Sequence, residues 1–219
     1  MSAAKATPQP LRERNKQLAR DVVLDAAERL LEESPNAEFS MRALAVEAGV
    51  GFATPFNHFG NKNAIMQALS SRLIERMATR FREEEPEGDA IDRLLAMGRI
   101  SVELLLEKPT VHKAVVGSLG VAGPHPSSVH QHSGKLWSLA LGNFSGIAPD
   151  MKDVAQAILA NQLAFHFRGC VSFWIAGELQ DEELGNAFEA GACALLLGFA
   201  SPRRRNFLIA KIKSLQRAS

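Results

Sequence analysis

The stretch SMRALAVEAGVGFATPFNHFGNK, at positions 40–62, decides the fold of this chain. Its first part predicts a short helix, because Ser40 is a favourable N-cap and the residues at 43–46 are apolar. Gly49 follows at a turn that requires a positive φ, which glycine adopts without strain. A second short helix is expected from about position 51 to position 58 or 59. Two short helices around a tight turn are typical of a helix-turn-helix.

Helical periodicity continues on both sides of this stretch, and no segment shows the alternation of a β-strand. A first helix is expected at about 15–34 and a long connecting helix at about 61–82. The run EEEPEG at 83–88 combines charge, proline and glycine, which marks a domain boundary. The sequence therefore predicts an all-α chain with about nine helices and, in the tail, a tenth.

Four segments follow from these patterns. They are a disordered basic arm at 1–14, a helix-turn-helix domain with its connecting helix at 15–82, an apolar helical domain at 83–200, and a basic tail at 201–219. The tail has apolar residues at helical spacing, which favours a packed amphipathic helix. Contact of the tail with DNA, or with the acidic middle of the chain, is an alternative.

Composition excludes several classes of protein. Apolar residues make up 46% of the 219 residues, enough for a packed core, so wholesale disorder is not expected. No apolar run reaches about 18 residues and the N-terminus lacks the apolar region of a signal peptide, so we expect neither a membrane span nor secretion. Cys170 and Cys193 lie in apolar helical patterns and are expected to be buried free thiols in a reducing cytoplasm.

The net charge of +1 hides an uneven distribution. Positions 1–80 carry 11 Lys and Arg against 9 Asp and Glu, positions 81–200 carry 8 against 15, and positions 201–219 carry 6 against none. Any DNA contact must therefore come from a local surface. Four basic side chains are either the solvated start of a helix or contacts to DNA phosphates and the minor groove: Arg12, Arg14, Lys16 and Arg20.

The helix-turn-helix carries a more specific pattern. It contains, in order, A-x-x-A-G-V at 45–50, Thr54, an aromatic residue, His58-Phe59 and Lys62. With helices before and after it, this pattern resembles the N-terminal DNA-binding domain of the TetR/AcrR family of transcriptional regulators. The resemblance implies a three-helix DNA-binding domain followed by a helical domain for ligand binding and dimerisation. That second domain resembles the family only in layout and in a short pattern at 173–179.

The residues expected to contact DNA lie along this pattern: Ser40, Arg42, Phe52, Ala53, Thr54, Phe56, Asn57, His58 and Lys62. The Arg42 guanidinium can donate two hydrogen bonds to a guanine edge in the major groove, and Asn57 can bond phosphate or adenine. Phe52 and Ala53 begin the second helix and offer only apolar contact, for example with a thymine methyl group.

The resemblance adds roles for the polar residues. Ser40 would cap its helix close to a phosphate, and phosphate contacts are implied for Thr54, His58 and Lys62. Phe56 stands where the family usually has tyrosine, and this removes a hydroxyl group that would bond phosphate or base. Base specificity is therefore expected to depend on an arginine, an asparagine and DNA shape more than on a polar recognition helix.

Pro55 is a second departure, because the family usually has leucine there. If Gly51 caps the second helix, Pro55 is its fourth residue and lacks the N–H of the first i→i−4 bond. Proline also biases Thr54 away from the helical region. We therefore expect a distorted or shortened first turn. The alternative function follows from this: a dimeric ligand-binding protein whose degenerate helix-turn-helix no longer binds DNA.

The resemblance also implies partners and regulation. The family forms homodimers through its last two long helices, here about 150–177 and 181–199, and the dimer places two recognition helices about 34–36 Å apart on a palindromic double-stranded DNA operator. A small-molecule inducer in a cavity among the middle helices favours a state that does not fit the operator. The expected function is a ligand-released repressor in the cytoplasm. Small residues in the last helix suit either this dimer interface or intrachain packing: Ala187, Gly191, Ala194 and Gly198.

Candidates for the cavity lining are aromatic, sulfur-containing or polar residues within apolar helices. Each is either an ordinary core residue or a ligand contact: Met97, Arg99, His112, Trp137, Phe165, His166, Cys170 and Trp174. Arg99 and His166 discriminate best, since either of them in a cavity would suit an anionic or hydrogen-bonding ligand. Without them, the cavity is expected to take an apolar inducer.

Other chemistry is not expected. The chain lacks a nucleophile elbow, a phosphate-binding glycine loop and a carboxylate pair in a catalytic context, so we expect neither an enzyme nor a cofactor. His125, His130 and His132 have no cysteine or carboxylate nearby, and the last two are wrongly spaced for one helix face. We therefore expect solvated loop histidines and no metal site.

Overall fold

The computed structural model describes residues 11–34, 36–120 and 129–217. The described residues contain no β-strand, only an isolated antiparallel bridge between Ile147 and Ala200. The prediction of an all-α fold is confirmed. Short 3-10 turns follow the sixth helix and precede the eighth. This part of the chain forms ten α-helices: α1 (Leu11–Glu33), α2 (Met41–Glu47), α3 (Ala53–Phe59), α4 (Lys62–Glu84), α5 (Ala90–Glu107), α6 (Pro109–Gly117), α7 (Val129–Leu141), α8 (Lys152–Ile175), α9 (Asp181–Leu197) and α10 (Pro202–Leu215).

The chain divides into two compact units, Met1–Leu69 and Ser70–Ser219. The division falls inside α4, whereas the sequence placed the whole of this helix in the first domain. The physical reason lies in the second half of α4, whose buried Leu73 and Phe81 belong to the apolar core of the second unit. The charged segment at 83–88 coincides with the end of a helix and not with the edge of a core.

The first unit consists of α1, α2, α3 and the start of α4. One face of α1 is inaccessible to solvent at Val23, Ala27 and Leu31, as its apolar spacing predicts. Leu44 of α2 and Ile65 of α4 are equally inaccessible. α1 contacts both α2 and α3, so this small core positions the two short helices.

The core of the second unit is built around aromatic side chains of α7, α8 and α9. The Phe188 ring stacks on Trp137 with 5.3 Å between centroids and meets Phe167 edge-on at 5.4 Å. Gly98 of α5 permits this arrangement, because a Cβ at that position would lie 2.0 Å from the Phe188 ring. The close approach of α5 to α9 therefore depends on glycine.

The small residues of α9 serve two purposes. Gly191 lies against His166 of α8, where a Cβ would come within 2.1 Å of the ring atom Cε1. Ala194 and Gly198 are exposed. Packing inside the chain therefore applies to Gly191 and to the partly buried Ala187, whereas Ala194 and Gly198 lie on an open surface.

The N-terminal helix is longer than expected. α1 begins at Leu11, so Arg12 and Arg14 are helical and do not belong to a disordered arm. Residues 1–10 lie outside the described range. No proline occurs between Pro10 and Pro35, so nothing in the sequence interrupts the helix at residue 15.

The tail forms α10, which packs on the second unit. Pro202 begins this helix, because a proline suits the first turn, where its missing N–H has no intrahelical partner. Leu208 is fully buried. Arg204 forms ion pairs with Asp89 at 3.1 Å and with Asp92 at 2.6 Å, at the start of α5. Part of the basic tail therefore neutralises acidic groups of the middle of the chain.

Two expectations from composition concern cysteines and membranes. Cys170 and Cys193 are free and buried, and burial raises the pKa of both thiols, that of Cys193 to about 11. Both thiols therefore lie in the core as packing side chains. Among the described helices, none has a stretch that is both long and apolar enough to cross a membrane.

Candidate functional site

The first helix of the motif, α2, has the N-cap that its sequence predicts. The Ser40 backbone is extended, and its Oγ accepts a hydrogen bond of 3.0 Å from the N–H of Ala43. Gly49 has a φ of +63°, in the left-handed region. Leu44 is buried, but Val46, which was expected on the apolar side, is 77% exposed. α2 therefore presents an apolar side chain to the outside.

The second helix, α3, begins at Ala53, one residue later than a cap at Gly51 would place it, and this start accommodates Pro55. Phe52 is the N-cap residue, with helical dihedral angles and no side-chain hydrogen bond. Pro55 is then the third helical residue, where an N–H would have no intrahelical partner. Thr54 stays helical, and its N–H donates to the Gly51 carbonyl at 2.8 Å. The expected distortion is reduced to a shift of the helix start, because the cap is Phe52 and not Gly51.

Arginines of α1 hold both helices of the motif. The Arg20 Nη1 donates a hydrogen bond of 2.7 Å to the carbonyl oxygen of His58, and its guanidinium lies 4.3 Å from the centroid of the Phe59 ring. A cation at the end of a helix also stabilises the helix dipole. Arg29 forms a 2.7 Å ion pair with Glu47, the last residue of α2. Arg20 thus has a structural role, whereas the sequence suggested a solvated side chain or a phosphate contact.

The nine residues predicted to contact DNA are all accessible. The Ser40 hydroxyl oxygen already accepts the hydrogen bond that caps α2. A contact of this hydroxyl with a phosphate would therefore be made in addition to the cap. Three are partly exposed, namely Thr54, His58 and Lys62. Six are exposed: Ser40, Arg42, Phe52, Ala53, Phe56 and Asn57.

Arg42 lies beside exposed apolar side chains. It lines a shallow depression together with Val46 and Phe52, and the Phe52 ring packs against Phe56 with 5.4 Å between centroids. We call Arg42, Val46, Phe52 and Phe56 the recognition surface. A guanidinium can read a guanine edge and apolar side chains can contact thymine methyl groups. Sequence reasoning missed Val46, because the apolar spacing of a seven-residue helix does not define its buried side.

The start of α4 supplies a further cation. Asn61 caps this helix, since its Oδ1 accepts a 2.9 Å hydrogen bond from the N–H of Ala64, and Gly60 before it has a φ of +80°. The Lys62 ammonium lies 5.0 Å from the centroid of the Phe39 ring. The cap and the ring define the position of a partly exposed cation, and such a cation suits a phosphate contact.

The second unit contains a cavity of about 310 Å³. Its volume lies at the lower end of the range of about 300–1,000 Å³ for small-molecule sites. Side chains of α4 to α8 line it. Most of them are apolar, among them Leu73, Met77, Leu105, Leu136 and Val171. The polar lining residues are Ser70, His130, Ser133 and Arg168.

Arg168 of α8 is the one Lys or Arg in the described lining of this cavity. It is half-buried, and its Nη2 donates a 3.2 Å hydrogen bond to the carbonyl oxygen of Val116. No carboxylate among the described residues pairs with it. Burial lowers the pKa of the guanidinium below its ordinary value, although arginine stays charged near neutral pH. The cavity therefore contains a positive charge that has lost part of its hydration.

The eight residues proposed for the cavity lie mostly elsewhere. Phe165 lines the cavity. Met97, Trp137 and Trp174 are fully buried in the core and do not line it. The reason is that these helices are apolar on several sides, so sequence spacing does not separate a side chain facing a void from one facing another helix.

The polar candidates are likewise occupied within the fold. Arg99 is exposed and pairs with Glu84 and with Glu103 of its own helix. The His112 Nδ1 lies 2.8 Å from the Leu105 carbonyl oxygen. Two others pack together outside the cavity lining: His166, whose Nε2 lies 2.9 Å from the Phe188 carbonyl oxygen, and the buried Cys170.

Arg168 was missed by sequence reasoning, although the sequence contains a signal for it. It is the only Asp, Glu, Lys or Arg between Asp153 and Glu178. A lone charge within a long apolar helix is exceptional, because a buried charge is unfavourable unless a partner compensates it. The pattern therefore identifies Arg168 as unusual, but it does not show in which direction the side chain points.

An apolar face of α8 is open to solvent. Val154, Ile158, Phe165 and Phe173 recur at helical spacing and are between 42% and 55% exposed. Ala194 of α9 and Gly198, the residue that follows this helix as its C-cap, are also exposed. Large apolar side chains beside small ones suit a helix–helix interface.

The histidines form no metal site in the described part of the chain. There, no three His, Cys, Asp or Glu side chains come together in a way that could hold a metal ion. His130 and His132 lie on α7 and not in a loop, and the His130 ring stacks on Phe165 with 5.0 Å between centroids. His125 lies outside the described residues.

The first unit has the arrangement of a helix-turn-helix, with α2 and α3 joined by a tight turn at Gly49. Residues 23–69 match the sequence model of the bacterial regulatory proteins of the tetR family. The match spans α2, α3 and the adjoining parts of α1 and α4, so this segment of the chain is similar in sequence to the tetR family. No curated protein matches the chain at a significant level.

Solved structures share the fold over most of the chain. A TetR transcriptional regulator from Rhodococcus sp. RHA1 is 20% identical with a TM-score of 0.67, and the alignment covers 83% of this chain and 98% of that one. A protein of unknown function from the same organism is 23% identical with a TM-score of 0.54, covering 84% and 96%. The TetR family protein CprB from S. coelicolor A3(2) is 14% identical with a TM-score of 0.51, covering 92% and 100%. At these identities the likeness shows a common fold.

Proposed function

We propose that this protein is a sequence-specific transcriptional repressor that binds a palindromic operator as a homodimer and releases it when a small molecule occupies the cavity. The TetR-family fold supports DNA-binding transcriptional regulation. The recognition surface carries the proposal, because it exposes a guanidinium and apolar side chains on two short helices that α1 holds in place. The protein acts without enzymatic activity, in the cytoplasm where it has access to the chromosome.

Selection of genomic DNA fragments by the purified chain tests the DNA-binding part. We expect the retained fragments to share a palindrome whose half-sites lie about one helical turn apart, and binding to weaken steeply as salt increases. The genes beside these fragments would identify what is regulated. Recovery of no enriched sequence would contradict the proposal and favour the alternative of a ligand-binding protein with a degenerate helix-turn-helix. The formation of α3 with Pro55 in its first turn speaks against that alternative.

Two substitutions test the assigned geometry on a selected fragment. Arg42→Ala is expected to weaken binding by roughly 10- to 100-fold and to relax the preference at one base pair, since a bidentate pair contributes about 1–3 kcal/mol of discrimination. Lys62→Ala should weaken binding to all sequences alike and lower the slope of the salt dependence by about 1. Lys135→Ala removes the same charge from the exposed side of α7 and serves as the control. Full binding by both Arg42→Ala and Lys62→Ala would refute the geometry.

The homodimer is supported by the open apolar face of α8 and by the small exposed residues of α9. A closed two-fold dimer also matches a palindromic site. We expect a dimer by analytical ultracentrifugation and a shift to monomer in Ile158→Asp. Ile209→Asp on α10 is a matched control, because this isoleucine has a similar exposure, 38% against 42% for Ile158. Equal dissociation in both variants, or in neither, would remove the support for this face.

The proposed release of DNA on ligand binding is supported by α4, because this helix belongs to both units. This helix begins in the first unit at Lys62, and its second half lines the cavity of the second unit through Leu73 and Met77. A ligand that binds one conformation better than another shifts the equilibrium between them, by as much as its affinities differ. Compounds that bind the cavity are therefore expected to weaken operator binding in a concentration-dependent manner.

A further inference from the structure

The wall of the cavity has one unbalanced charge. The Arg168 guanidinium lines it and, among the described residues, donates one hydrogen bond, to the Val116 carbonyl oxygen. A guanidinium has five N–H donors, so most of its hydrogen-bonding capacity is directed elsewhere. None of the described lining residues is Asp or Glu. The segment VAGPHPSS at 121–128, which precedes the lining residue Val129, contains no acidic residue either.

The rest of the cavity lining indicates the chemistry of the part of a ligand that does not contact Arg168. Leu73, Met77, Leu105 and Val171 give an apolar surface, and Phe165 and Phe167 add aromatic rings. A cavity of about 310 Å³ has room for roughly ten groups the size of a water molecule, at about 30 Å³ each. This corresponds to the heavy atoms of a medium-chain acid such as octanoate. A small ligand with one anionic end and an apolar body is complementary to this arrangement.

We propose that the cavity binds a medium-length apolar carboxylate, whose anionic group is paired with the Arg168 guanidinium and whose apolar body packs against Leu73, Met77 and Val171. The proposal identifies the chemical class of the small molecule in the ligand site proposed above, and it rests on that site. The Ser133 hydroxyl and the His130 ring lie in the same lining and can donate further hydrogen bonds to the carboxylate.

A carboxylate fits this charge better than a phosphate ester does. A carboxylate carries a single negative charge, which one guanidinium balances in a bidentate pair. A phosphate monoester carries about −1.5 to −2 near neutral pH and requires further cations. The described lining contains no second Lys or Arg. Bringing a more highly charged group into this wall would leave negative charge desolvated and unpaired.

Calorimetric titration of the full chain without DNA tests the proposal, with hexanoate, octanoate and decanoate as ligands. Octanamide is the matched neutral compound, because it has the same chain length and lacks the charge. We expect octanoate to bind at least about tenfold more tightly than octanamide near pH 7, since hydrogen bonds to a charged group contribute that much or more. Equal affinity of the two compounds, or binding by none of the acids, would overturn the proposal.

Substitutions at position 168 test whether Arg168 causes the preference for octanoate over octanamide. Arg168→Met should abolish the preference for octanoate and retain binding of octanamide, whereas Arg168→Lys should retain part of the preference. Arg203→Met removes an exposed arginine from α10 and is the control. Circular dichroism verifies that each variant is folded, and the comparison of octanoate with octanamide on the unmodified chain needs no variant. An unchanged preference in a folded Arg168→Met protein would exclude this residue as the anion site.

The outcome is independent of the DNA-binding part of the proposed function. If octanoate binds and no genomic fragment is enriched, the cavity assignment stands and the role as a DNA-binding repressor fails. If fragments are enriched and no carboxylate binds, the repressor survives and the carboxylate ligand is ruled out. A carboxylate that binds and also weakens operator binding supports both.

Discussion

The recognition surface and the cavity wall are built from the same kinds of residue and differ in their access to water. Each has one arginine among apolar side chains. Arg42 is exposed beside Val46 and Phe52, while Arg168 is half-buried between α6 and α8. The first guanidinium keeps its hydration until a partner displaces the water, and the second has already lost part of its hydration in the folded chain.

This difference teaches that burial, and not residue type, decides what an arginine contributes. At the exposed site, the selectivity that we propose would come from the geometry of two hydrogen bonds to a base edge, because water competes for each of them. Inside the cavity, an anion gains more from the same guanidinium, since the local dielectric constant is lower and less hydration remains to be displaced. The predictions that follow test how each surface is supported.

The largest effect is expected from the core behind the cavity. Trp137 is fully buried and stacks on Phe188, so Trp137→Ala should lower the free energy of unfolding by about 3–5 kcal/mol. Urea unfolding followed by circular dichroism measures it. Phe52→Ala is the aromatic control on the recognition surface, where 59% of the side chain is exposed, and it should change stability by no more than about 0.5 kcal/mol. Equal losses of stability in the two variants would contradict the expected difference between the core behind the cavity and the recognition surface.

A smaller loss is expected where α1 holds α3. Arg20→Ala removes the hydrogen bond to the His58 carbonyl and should destabilise the first unit by about 1.5–3 kcal/mol. Both tryptophans lie in the second unit, so fluorescence reports on that unit alone and circular dichroism reports on both. The expected result is an earlier transition by circular dichroism with unchanged fluorescence. Arg12→Ala, on the exposed start of α1, should show no such separation.

The cap of α2 comes next in size. Ser40→Ala removes the acceptor for the Ala43 N–H and should lower the stability of the first unit by about 1 kcal/mol, within a range of about 0.5–2. Ser40→Asn keeps a capping oxygen and should restore most of the loss. If alanine and asparagine behave alike in thermal unfolding, the cap does not support the recognition surface.

The smallest effect is expected from ion pairs on the surface of the second unit. The Arg99 and Arg80 guanidinium groups hold the pKa of Glu84 below its ordinary value. The ionised form is therefore favoured in the folded state, and this stabilisation is present near neutral pH and is lost as the pH falls below the ordinary value for glutamate. Arg99→Ala should lower the stability near pH 7 by less than about 1 kcal/mol, because the pair is largely exposed. The difference from the unmodified chain should shrink as the pH falls through the lowered pKa of Glu84, and a difference that grows towards acid would contradict this account.

Much of the first unit followed from the sequence, because its signals are local. The cap at Ser40 and the positive φ at Gly49 each involve residues a few positions apart. Pro55 shows the limit of such reasoning. A shift of one residue in the helix start changed the effect of the proline from a lost hydrogen bond to none.

The cavity was far less predictable. The sequence suggested eight lining residues, and the structure places Phe165 among the lining while Arg99 is exposed and paired with Glu84 and Glu103. Helices such as α5 and α8 are apolar on several sides, so periodicity does not indicate which side faces a void. Arg168 was visible as a lone charge, but its orientation depends on how α6, α7 and α8 pack.

The sequence by itself determined the all-α fold, the helix-turn-helix and the likeness of residues 23–69 to the tetR family, because these depend on spacing, caps and turns within short stretches of chain. Tertiary structure alone decided which apolar face is buried, where the cavity lies, and that Arg20 holds α3 while Arg168 reaches into the cavity. The physical reason is that burial and desolvation depend on neighbours from distant parts of the chain. A guanidinium has the same chemistry at all of these positions, and only its surroundings determine whether it reads a base, stabilises a helix or pairs with an anion.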